Sequence, residues 1–256
     1  AGAGPERLAN VERAVAIAAG ILDSGGSAIE AAVEACVVLE DDPVFNAGTG
    51  SVFRTDGSVH LDASIQTSEG KMGFVIGMQD TPNPIRVAAD LLDEEINGLS
   101  GDGARLWADS KGFERSNVQG RPPFEGATDT VGVVARDKSG LIVCATSTGG
   151  TSNRPPGRVG DVPLPGCGFW VQDGVGVGAT GIGEAITRGM ISLRVADRIL
   201  DGNGLEESMM WALDECLEED AEVGIIALGT EGTGHGVSNS TNMPWACLLY
   251  TSPSPR

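Results

Sequence analysis

The sequence predicts an α+β fold in which antiparallel sheets are covered by helices on their outer sides. Apolar residues recur at helical spacing near the start of the chain, over residues 8–40, and again over residues 183–217. Between these segments lie short apolar runs joined by hairpin-like links, over residues 59–78 and 131–179. There is no internal repeat, and strands are grouped before and after helices, which favours this class.

In the first half of the chain, two predicted helices precede the first strands. Ser27 followed by Glu30 forms a capping box that opens the second helix, after a turn at residues 23–26. Residues 41–43, Asp-Asp-Pro, end that helix. Antiparallel strands are then predicted at residues 52–53, 59–65 and 72–78.

A third helix and a linker are predicted to follow. Pro84 fits the first position of a helix that runs to about residue 95. Periodicity then weakens over residues 98–126, apart from a short helix predicted at 101–111. We interpret residues 97–129 as linker-like.

The second half of the chain begins with a predicted hairpin over residues 131–147, with its turn at 137–140. Further strands are predicted at residues 168–171, 175–179 and 223–228, and helices at 183–200 and 205–217. These elements complete one compound domain over residues 1–246, a size that suits the 41% hydrophobic content of a 256-residue chain.

Composition narrows the classes of partner. The net charge is −19, from 36 acidic and 17 basic residues, and such a surface repels nucleic acid and anionic lipid. No apolar run reaches about 18 residues, so no membrane span is predicted. The five cysteines are odd in number and lack a C-x-x-C pair, which favours free thiols in a reducing, cytoplasmic compartment.

One loop threonine, Thr130, stands at the start of the hairpin and is followed within about thirty residues by Arg158 and Asp161. Threonine is a weak nucleophile without a neighbouring base, and its own α-amine, with a pKa of about 7.7–8, could serve once freed. A guanidinium and a carboxylate can read the two charges of an amino-acid substrate. An ordinary Arg–Asp surface ion pair is the alternative.

Four segments in order give this site a specific resemblance. They are DTVGVVARD, ATSTGG, PGRVGDVPLPG and ATGIGEAI. Together they resemble the core of the plant-type L-asparaginase/isoaspartyl peptidase family of N-terminal-nucleophile hydrolases, over residues 5–246. The Asp129-Thr130 pair is closer to the related glycosylasparaginases, because plant-type members usually have Gly-Thr there.

The resemblance implies a four-layer αββα sandwich made as a precursor and cleaved between Asp129 and Thr130. Thr130 would be the nucleophile, Thr148 would lie beside its hydroxyl, and Thr180 with Gly181 would stabilise the oxyanion. The implied substrate-binding residues are Arg158, Val159, Gly160, Asp161 and Gly183.

The implied reaction releases L-aspartate from L-asparagine or β-aspartyl peptides, with N4-glycosyl-asparagine as an alternative substrate. No cofactor is implied as required. Residues 39–49 resemble a sodium-binding loop that uses backbone carbonyls, although a glycine-rich turn is the alternative. The implied assembly is a homodimer of cleaved precursors, (αβ)2. Residues 247–256 fall outside the resemblance and are interpreted as a non-native tail.

Other classes have weaker support. Residues 176–181 form a literal G-x-G-x-x-G, but no second strand precedes the acids about 20 residues on, so a dinucleotide-binding domain is disfavoured. With only His60 and His235 and no clustered cysteines, neither a Ser-His-Asp triad nor a zinc site is supported. A catalytically inactive binding protein of the same fold remains a third hypothesis.

Overall fold

The computed structural model describes residues 7–122, 130–229 and 232–249. The helices are α1 (Leu8–Asp23), α2 (Ala28–Glu40), α3 (Pro84–Asp90), α4 (Gly101–Ser110), α5 (Gly183–Gly189), α6 (Ile191–Leu200) and α7 (Leu205–Glu215). The strands are β1 (Leu61–Thr67), β2 (Met72–Met78), β3 (Gly98–Ser100), β4 (Val131–Arg136), β5 (Ile142–Thr148), β6 (Phe169–Gln172), β7 (Val175–Gly181), β8 (Val223–Leu228) and β9 (Gly234–Ser238).

These strands form two sheets. A five-stranded sheet has the order β3-β2-β1-β5-β4, and a four-stranded sheet has the order β6-β7-β8-β9. Every neighbouring pair is antiparallel except β2 and β3, which are parallel. The predicted combination of antiparallel sheets and helices is therefore confirmed at this level.

Apolar side chains separate into three buried clusters. Ala63 and Ile65 of β1 pack with α2 and α3 in the first. Val177 of β7 packs with α6 and α7 in the second. In the third, Ile142 and Cys144 of β5 meet Phe169 and Val171 of β6, so the inner faces of the two sheets contact each other.

A buried amide also links the inner faces. The Gln66 side chain on β1 donates to the Val171 carbonyl at 3.1 Å and accepts from the Val171 backbone nitrogen at 3.0 Å. Both polar ends of the amide are thereby satisfied away from water, which fixes how the two sheets lie against each other.

Local sequence signals explain most element boundaries. The Ser27 hydroxyl oxygen accepts from the Glu30 backbone nitrogen at 3.1 Å, as expected of the N-cap of α2. Pro84 stands at the start of α3, as predicted, although that helix ends at Asp90 and a 3-10 turn follows at Leu91–Asp93. The hairpin β4–β5 turns at residues 137–140, where the Asp137 carboxylate accepts from the Ser139 backbone nitrogen.

Several predictions of regular structure were wrong. The helix predicted over 183–200 is two helices, because Met190 adopts a left-handed backbone with φ of 45°. Within the linker-like residues 97–129, the short helix predicted at 101–111 is confirmed as α4, whereas strand β3 at Gly98–Ser100 was not predicted. Residues 52–53 do not form a strand, since Val52 makes only an isolated bridge to Arg121.

The G-x-G-x-x-G at residues 176–181 lies within β7, whose neighbours β6 and β8 are both antiparallel to it. A dinucleotide fingerprint needs a parallel β-α-β unit, so that alternative is wrong. The family resemblance described above implies a final strand at residues 243–246, but these residues have no regular structure, whereas β9 was not predicted. No helix in the described part of the chain is both long and apolar enough to span a bilayer.

Candidate active site

The two sheets meet at Thr130, the residue immediately before β4. Its backbone nitrogen donates to the Thr180 hydroxyl oxygen, near the end of β7, at 3.3 Å. The two residues belong to different sheets and are 50 positions apart in sequence. The structure therefore brings together two of the threonines that the sequence predicted to act in one site.

Strand register places a third threonine, Thr148, on the same face of the sheet as Thr130. Val131 pairs with Ser147 in the antiparallel β4–β5 ladder, so Thr130 lies across from Thr148 at the next position. On the other side of β5, Thr148 pairs directly with Asp62 of β1. Residues opposite each other in a ladder project from the same face, with Cβ atoms about 5 Å apart. Thr130, Thr148 and Asp62 thus share one face of the five-stranded sheet.

The turn after β5 is held by Asn46. The Asn46 backbone carbonyl accepts from the Gly149 nitrogen at 2.8 Å, and its side-chain amide donates to the Gly150 carbonyl at 2.5 Å. The Gly150 nitrogen in turn donates to the Thr148 hydroxyl oxygen at 3.0 Å. These contacts fix the position of the Thr148 hydroxyl on the face that Thr148 shares with Thr130 and Asp62.

Gly181 follows Thr180 with a backbone that only glycine adopts without strain, at φ of 138°. A Cβ atom at this position would overlap the carbonyl oxygen of Glu222. The residue type is therefore dictated by geometry. The Gly181 backbone nitrogen stays a predicted oxyanion donor.

Arg158 is largely buried and forms a bidentate pair with Glu184, the residue after Gly183. Its Nε lies 3.1 Å from Oε1 of Glu184, and its Nη2 lies 2.8 Å from Oε2. Arg158 lowers the pKa of the Glu184 carboxyl, chiefly through these hydrogen bonds. Sequence reasoning missed Glu184, although it directly follows the Thr-Gly-Ile-Gly motif.

Asp161 is 5% exposed and has no ion pair with Arg158 in the described part of the chain. Its Oδ2 has no hydrogen-bond partner among the described residues. Burial raises the pKa of its carboxyl to about 7, although its own backbone N–H and the nearby Arg158 charge lower it. The surface ion-pair alternative is therefore wrong for this pair.

The side chains of Arg158 and Asp161 both lie against the Cα of Gly183. A Cβ atom on Gly183 would lie 2.7 Å from Nη2 of Arg158 and 2.7 Å from Oδ1 of Asp161. Gly160 has a similar role, because its Cβ would lie 2.7 Å from Nη1 of Arg158. Both glycines leave room for the guanidinium. Val159 presents a side chain that is 41% exposed.

Asp62 is a second fully buried carboxylate on this side of the molecule, and sequence reasoning also missed it. Its Oδ1 accepts from the Gly77 backbone nitrogen at 2.8 Å, and its Oδ2 has no described partner. Burial raises the pKa of Asp62 to about 6, and the Gly77 hydrogen bond and the charges of Arg54 and Arg158 lower it. An acid within a buried strand is the sequence signal that could have identified it.

A cavity of about 880 Å³ reaches Thr130 from another direction. It lies between α1, β4, β8 and residues 242–249, and both Thr130 and Thr180 line it. Arg158, Asp161 and Gly183 do not line it. The charged pocket and this cavity therefore approach the threonines separately.

The other residues considered from the sequence are Asp129, possible metal ligands and the two histidines. Asp129, the predicted residue before the cleavage site, lies outside the described residues. The described residues contain no cluster of three or more His, Cys, Asp or Glu side chains able to hold a metal ion. His60 and His235 contact Gln79 and Glu206, not Thr130.

Comparison with known proteins gives consistent results. A family model described as asparaginase matches residues 3–121 and 114–252. An isoaspartyl peptidase/L-asparaginase from Bos taurus is 35% identical over 91% of this chain and 84% of its own length. A plant-type L-asparaginase from Pyrobaculum calidifontis is 40% identical over 67% of this chain and 66% of its own length. An isoaspartyl peptidase/L-asparaginase from a Synechocystis species is 33% identical over 82% of this chain and 72% of its own length.

Proposed function

Because this chain belongs to the asparaginase family, we propose that it is a threonine amidohydrolase that releases L-aspartate from L-asparagine and from β-aspartyl peptides. Its relatives are an isoaspartyl peptidase/L-asparaginase and a plant-type L-asparaginase, and these activities support both substrates. The observation that carries the proposal is the meeting of Arg158 and Asp161 at Gly183, three residues after Thr180. This arrangement offers a cation and an anion at a fixed distance from the threonines.

The charged pair fits the aspartyl end of the substrate. The free Oδ2 of Asp161 can accept from the substrate α-ammonium, and the Arg158 guanidinium can donate to its α-carboxylate. Glu184 holds Arg158 in place through the bidentate pair. Since Asp161 is buried and its Oδ2 has no partner among the described residues, a substrate without an α-ammonium would leave that carboxylate unpaired, which is costly.

Thr130 is proposed as the nucleophile. Its hydroxyl attacks the side-chain amide carbonyl, its freed α-amine accepts the hydroxyl proton, and an aspartyl ester forms that water then hydrolyses. The Thr180 oxygen already accepts a hydrogen bond from the Thr130 nitrogen, so its single proton remains available for the developing oxyanion. The Gly181 backbone N–H supplies a second donor.

The freed amine requires cleavage between Asp129 and Thr130. In the proposed activation the Thr130 hydroxyl attacks the preceding carbonyl, the acyl group moves from nitrogen to oxygen, and water hydrolyses the resulting ester. The chain then consists of residues 1–129 and a second subunit that begins with Thr130. The 3.3 Å contact to Thr180 supports this, because it fixes the nitrogen that becomes the base.

Three further features that the family resemblance implies, together with the compartment, complete the proposal. We propose that the two sheets and their outer helices form the four-layer αββα sandwich, and that cleaved precursors pair as an (αβ)2 homodimer. A sodium ion fits residues 39–49, since the carbonyl oxygens of Pro43 and Phe45 converge beside Gly50. The described cysteines are all free, which suits a reducing, cytoplasmic compartment.

Turnover measurements test this function. The purified chain should release L-aspartate from L-asparagine and from a β-aspartyl dipeptide, and Thr130→Ala should release none. N4-glycosyl-asparagine serves as the third substrate. Preference for it over both others would favour the glycosylasparaginase alternative. A cleaved protein that is inactive on all three would contradict the proposal and favour a binding protein of the same fold.

A further inference from the structure

Two arginines of the described chain are almost fully buried, and they differ in how well they are satisfied. Arg105 is 5% exposed, and its Nη atoms donate to four oxygens at 2.6–3.2 Å and pair with Asp109 at 3.0 Å. Arg54 is 3% exposed, and its Nη atoms reach only the carbonyls of Thr151 and His60, each at 3.5 Å. The Nε of each arginine lacks a partner.

Arg54 lies against the loop that holds the active-site threonines. A Cβ atom on Gly150 would stand 2.6 Å from both Nη atoms of Arg54, so the guanidinium packs directly on the Gly150 backbone. Gly150 is the residue whose nitrogen donates to the Thr148 hydroxyl. Arg54 therefore contacts Gly150, and Gly150 contacts Thr148, which shares a sheet face with Thr130.

The two charges that influence Arg54 most belong to Asp62 and Arg158, both of which border the proposed substrate pocket. Burial lowers the pKa of Arg54, the Asp62 carboxylate raises it, and the charge of Arg158 lowers it. No described carboxylate lies within 4.0 Å of its guanidinium. A buried cation without an ion-pair partner is costly, so an anionic ligand would satisfy it.

The number of carboxylates around the pocket also indicates that a substrate carboxylate needs the positive charge of Arg54. Glu184 neutralises Arg158 through the bidentate pair, and Asp62 and Asp161 add two further carboxylates. Without Arg54, a substrate carboxylate would enter a site with one cation and three carboxylates. The fork of Nε and Nη2 on Arg158 is moreover already used by Glu184, so Arg158 alone offers only its remaining hydrogens.

We propose that Arg54 is a specificity-determining residue that binds the α-carboxylate of the aspartyl substrate together with Arg158. This inference rests on the proposed function. A carboxylate has two oxygens and about four acceptor sites, enough for hydrogen bonds from both guanidiniums. Arg54 therefore selects substrates whose α-carboxylate is free and ionised.

The test compares substrates with and without that charge. Arg54→Met keeps the length of the side chain and removes its charge. Arg105→Met is the matched control at a buried arginine whose hydrogen-bond and ion-pair partners include none of the proposed site residues. With L-asparagine, Arg54→Met should lower kcat/KM at least 10-fold, mainly through KM. With L-asparaginamide, whose α-carboxylate is an amide, it should change kcat/KM less than twofold. Arg105→Met should affect both substrates equally.

Binding measurements test the same proposal when a substrate is not hydrolysed. Calorimetry on the cleaved protein with L-aspartate and with its α-amide, neither of which has a side-chain amide to hydrolyse, should show that Arg54→Met weakens only L-aspartate binding. This binding measurement tests the role of Arg54 even if neither L-asparaginamide nor L-asparagine is hydrolysed. Inactivity of the wild-type chain on aspartyl substrates would count against the proposed function alone. Should Arg54→Met fail to fold, Arg54→Lys replaces it and should weaken L-aspartate binding several-fold more than α-amide binding. Equal losses for both ligands would overturn the inference and leave Arg54 as a neutraliser of Asp62.

Discussion

The backbone nitrogen of Thr130 donates a hydrogen bond of 3.3 Å to the hydroxyl oxygen of Thr180, which belongs to the opposite sheet. The candidate nucleophile and the candidate oxyanion donor are therefore positioned by one direct contact between the two halves of the fold. Buried links such as the Gln66 amide hold the sheets at the distance that this contact requires.

Removal of the Thr180 hydroxyl should lower the rate of the chemical step. Thr180→Val keeps the shape of the side chain but loses both the acceptor for the Thr130 nitrogen and the proposed oxyanion donor. We expect kcat on L-asparagine to fall about 10²–10³-fold. Thr180→Ser is the control, since it keeps the hydroxyl and should retain most of the activity. A normal kcat in the valine variant would remove Thr180 from the mechanism.

A methyl group at Gly181 should destabilise the fold. Its φ of 138° and the overlap with the Glu222 carbonyl leave no room for Cβ, so we expect Gly181→Ala to cost about 1–3 kcal/mol. Gly103→Ala is the matched control, because no atom lies within 4 Å of its Cβ position in α4, and alanine there should stabilise by about 0.5–1 kcal/mol. Urea unfolding measures both. Equal stabilities of the two variants would contradict the geometry.

Substrate binding and self-cleavage should depend differently on Arg158. The peptide before Thr130 presents no free α-carboxylate, so Arg158→Ala should leave cleavage largely intact. Loss of a buried charge-assisted contact typically costs about 2–5 kcal/mol, and kcat/KM for L-asparagine and a β-aspartyl dipeptide should fall accordingly. Steady-state kinetics on both substrates measure this. Unchanged values for both would refute the role assigned to Arg158.

Asp62 should make stability depend on pH in an identifiable window. Burial raises its pKa from 3.8 to about 6, so the folded chain holds a proton that the unfolded chain has lost. The free energy of unfolding should therefore fall as pH rises from about 4 to about 6, by up to about 1.4 kcal/mol per pH unit from this group. Stability from this proton is complete below pH 3.8 and lost above about 6.

Asp62→Asn should flatten that part of the stability curve in urea titrations at successive pH values. Asp56→Asn is the control on the same segment. Asp56 is exposed, and hydrogen bonds from Ser58 lower the pKa of its carboxyl, so above about pH 5 it is ionised in both the folded and the unfolded state. Asp56→Asn should therefore leave the slope between about pH 5 and 6 unchanged. Curves of the same slope for wild type and Asp62→Asn would show that Asp62 does not hold the proton.

The sequence predicted those features that local chemistry controls. The hairpin β4–β5 follows from two apolar runs around an Asp-Lys-Ser-Gly turn, and the N-cap at Ser27 follows from hydroxyl chemistry. The threonines and Arg158 were found because their segments resemble a family in order, not because spacing alone showed their roles.

The features that sequence reasoning missed depend on long-range contacts. Glu184 stands in the first turn of α5, where an acid is ordinarily a solvated helix residue, and only the fold brings Arg158 to it. Asp62 and Arg54 acquire their importance from the loop at Gly150, about 90 residues later in the chain. The break at Met190 is invisible to apolar periodicity, because the spacing continues across it.

Self-cleavage tests the central claim most directly, namely that Thr130 is an N-terminal nucleophile. Purified wild-type chain of 26.2 kDa, incubated without protease, should separate into residues 1–129 and 130–256 by intact-mass spectrometry. Thr130→Ala should stay whole, because no hydroxyl remains to attack, and Thr130→Ser should cleave more slowly. A folded wild-type chain that remains a single species after prolonged incubation, or that is cut at another bond, would contradict the account.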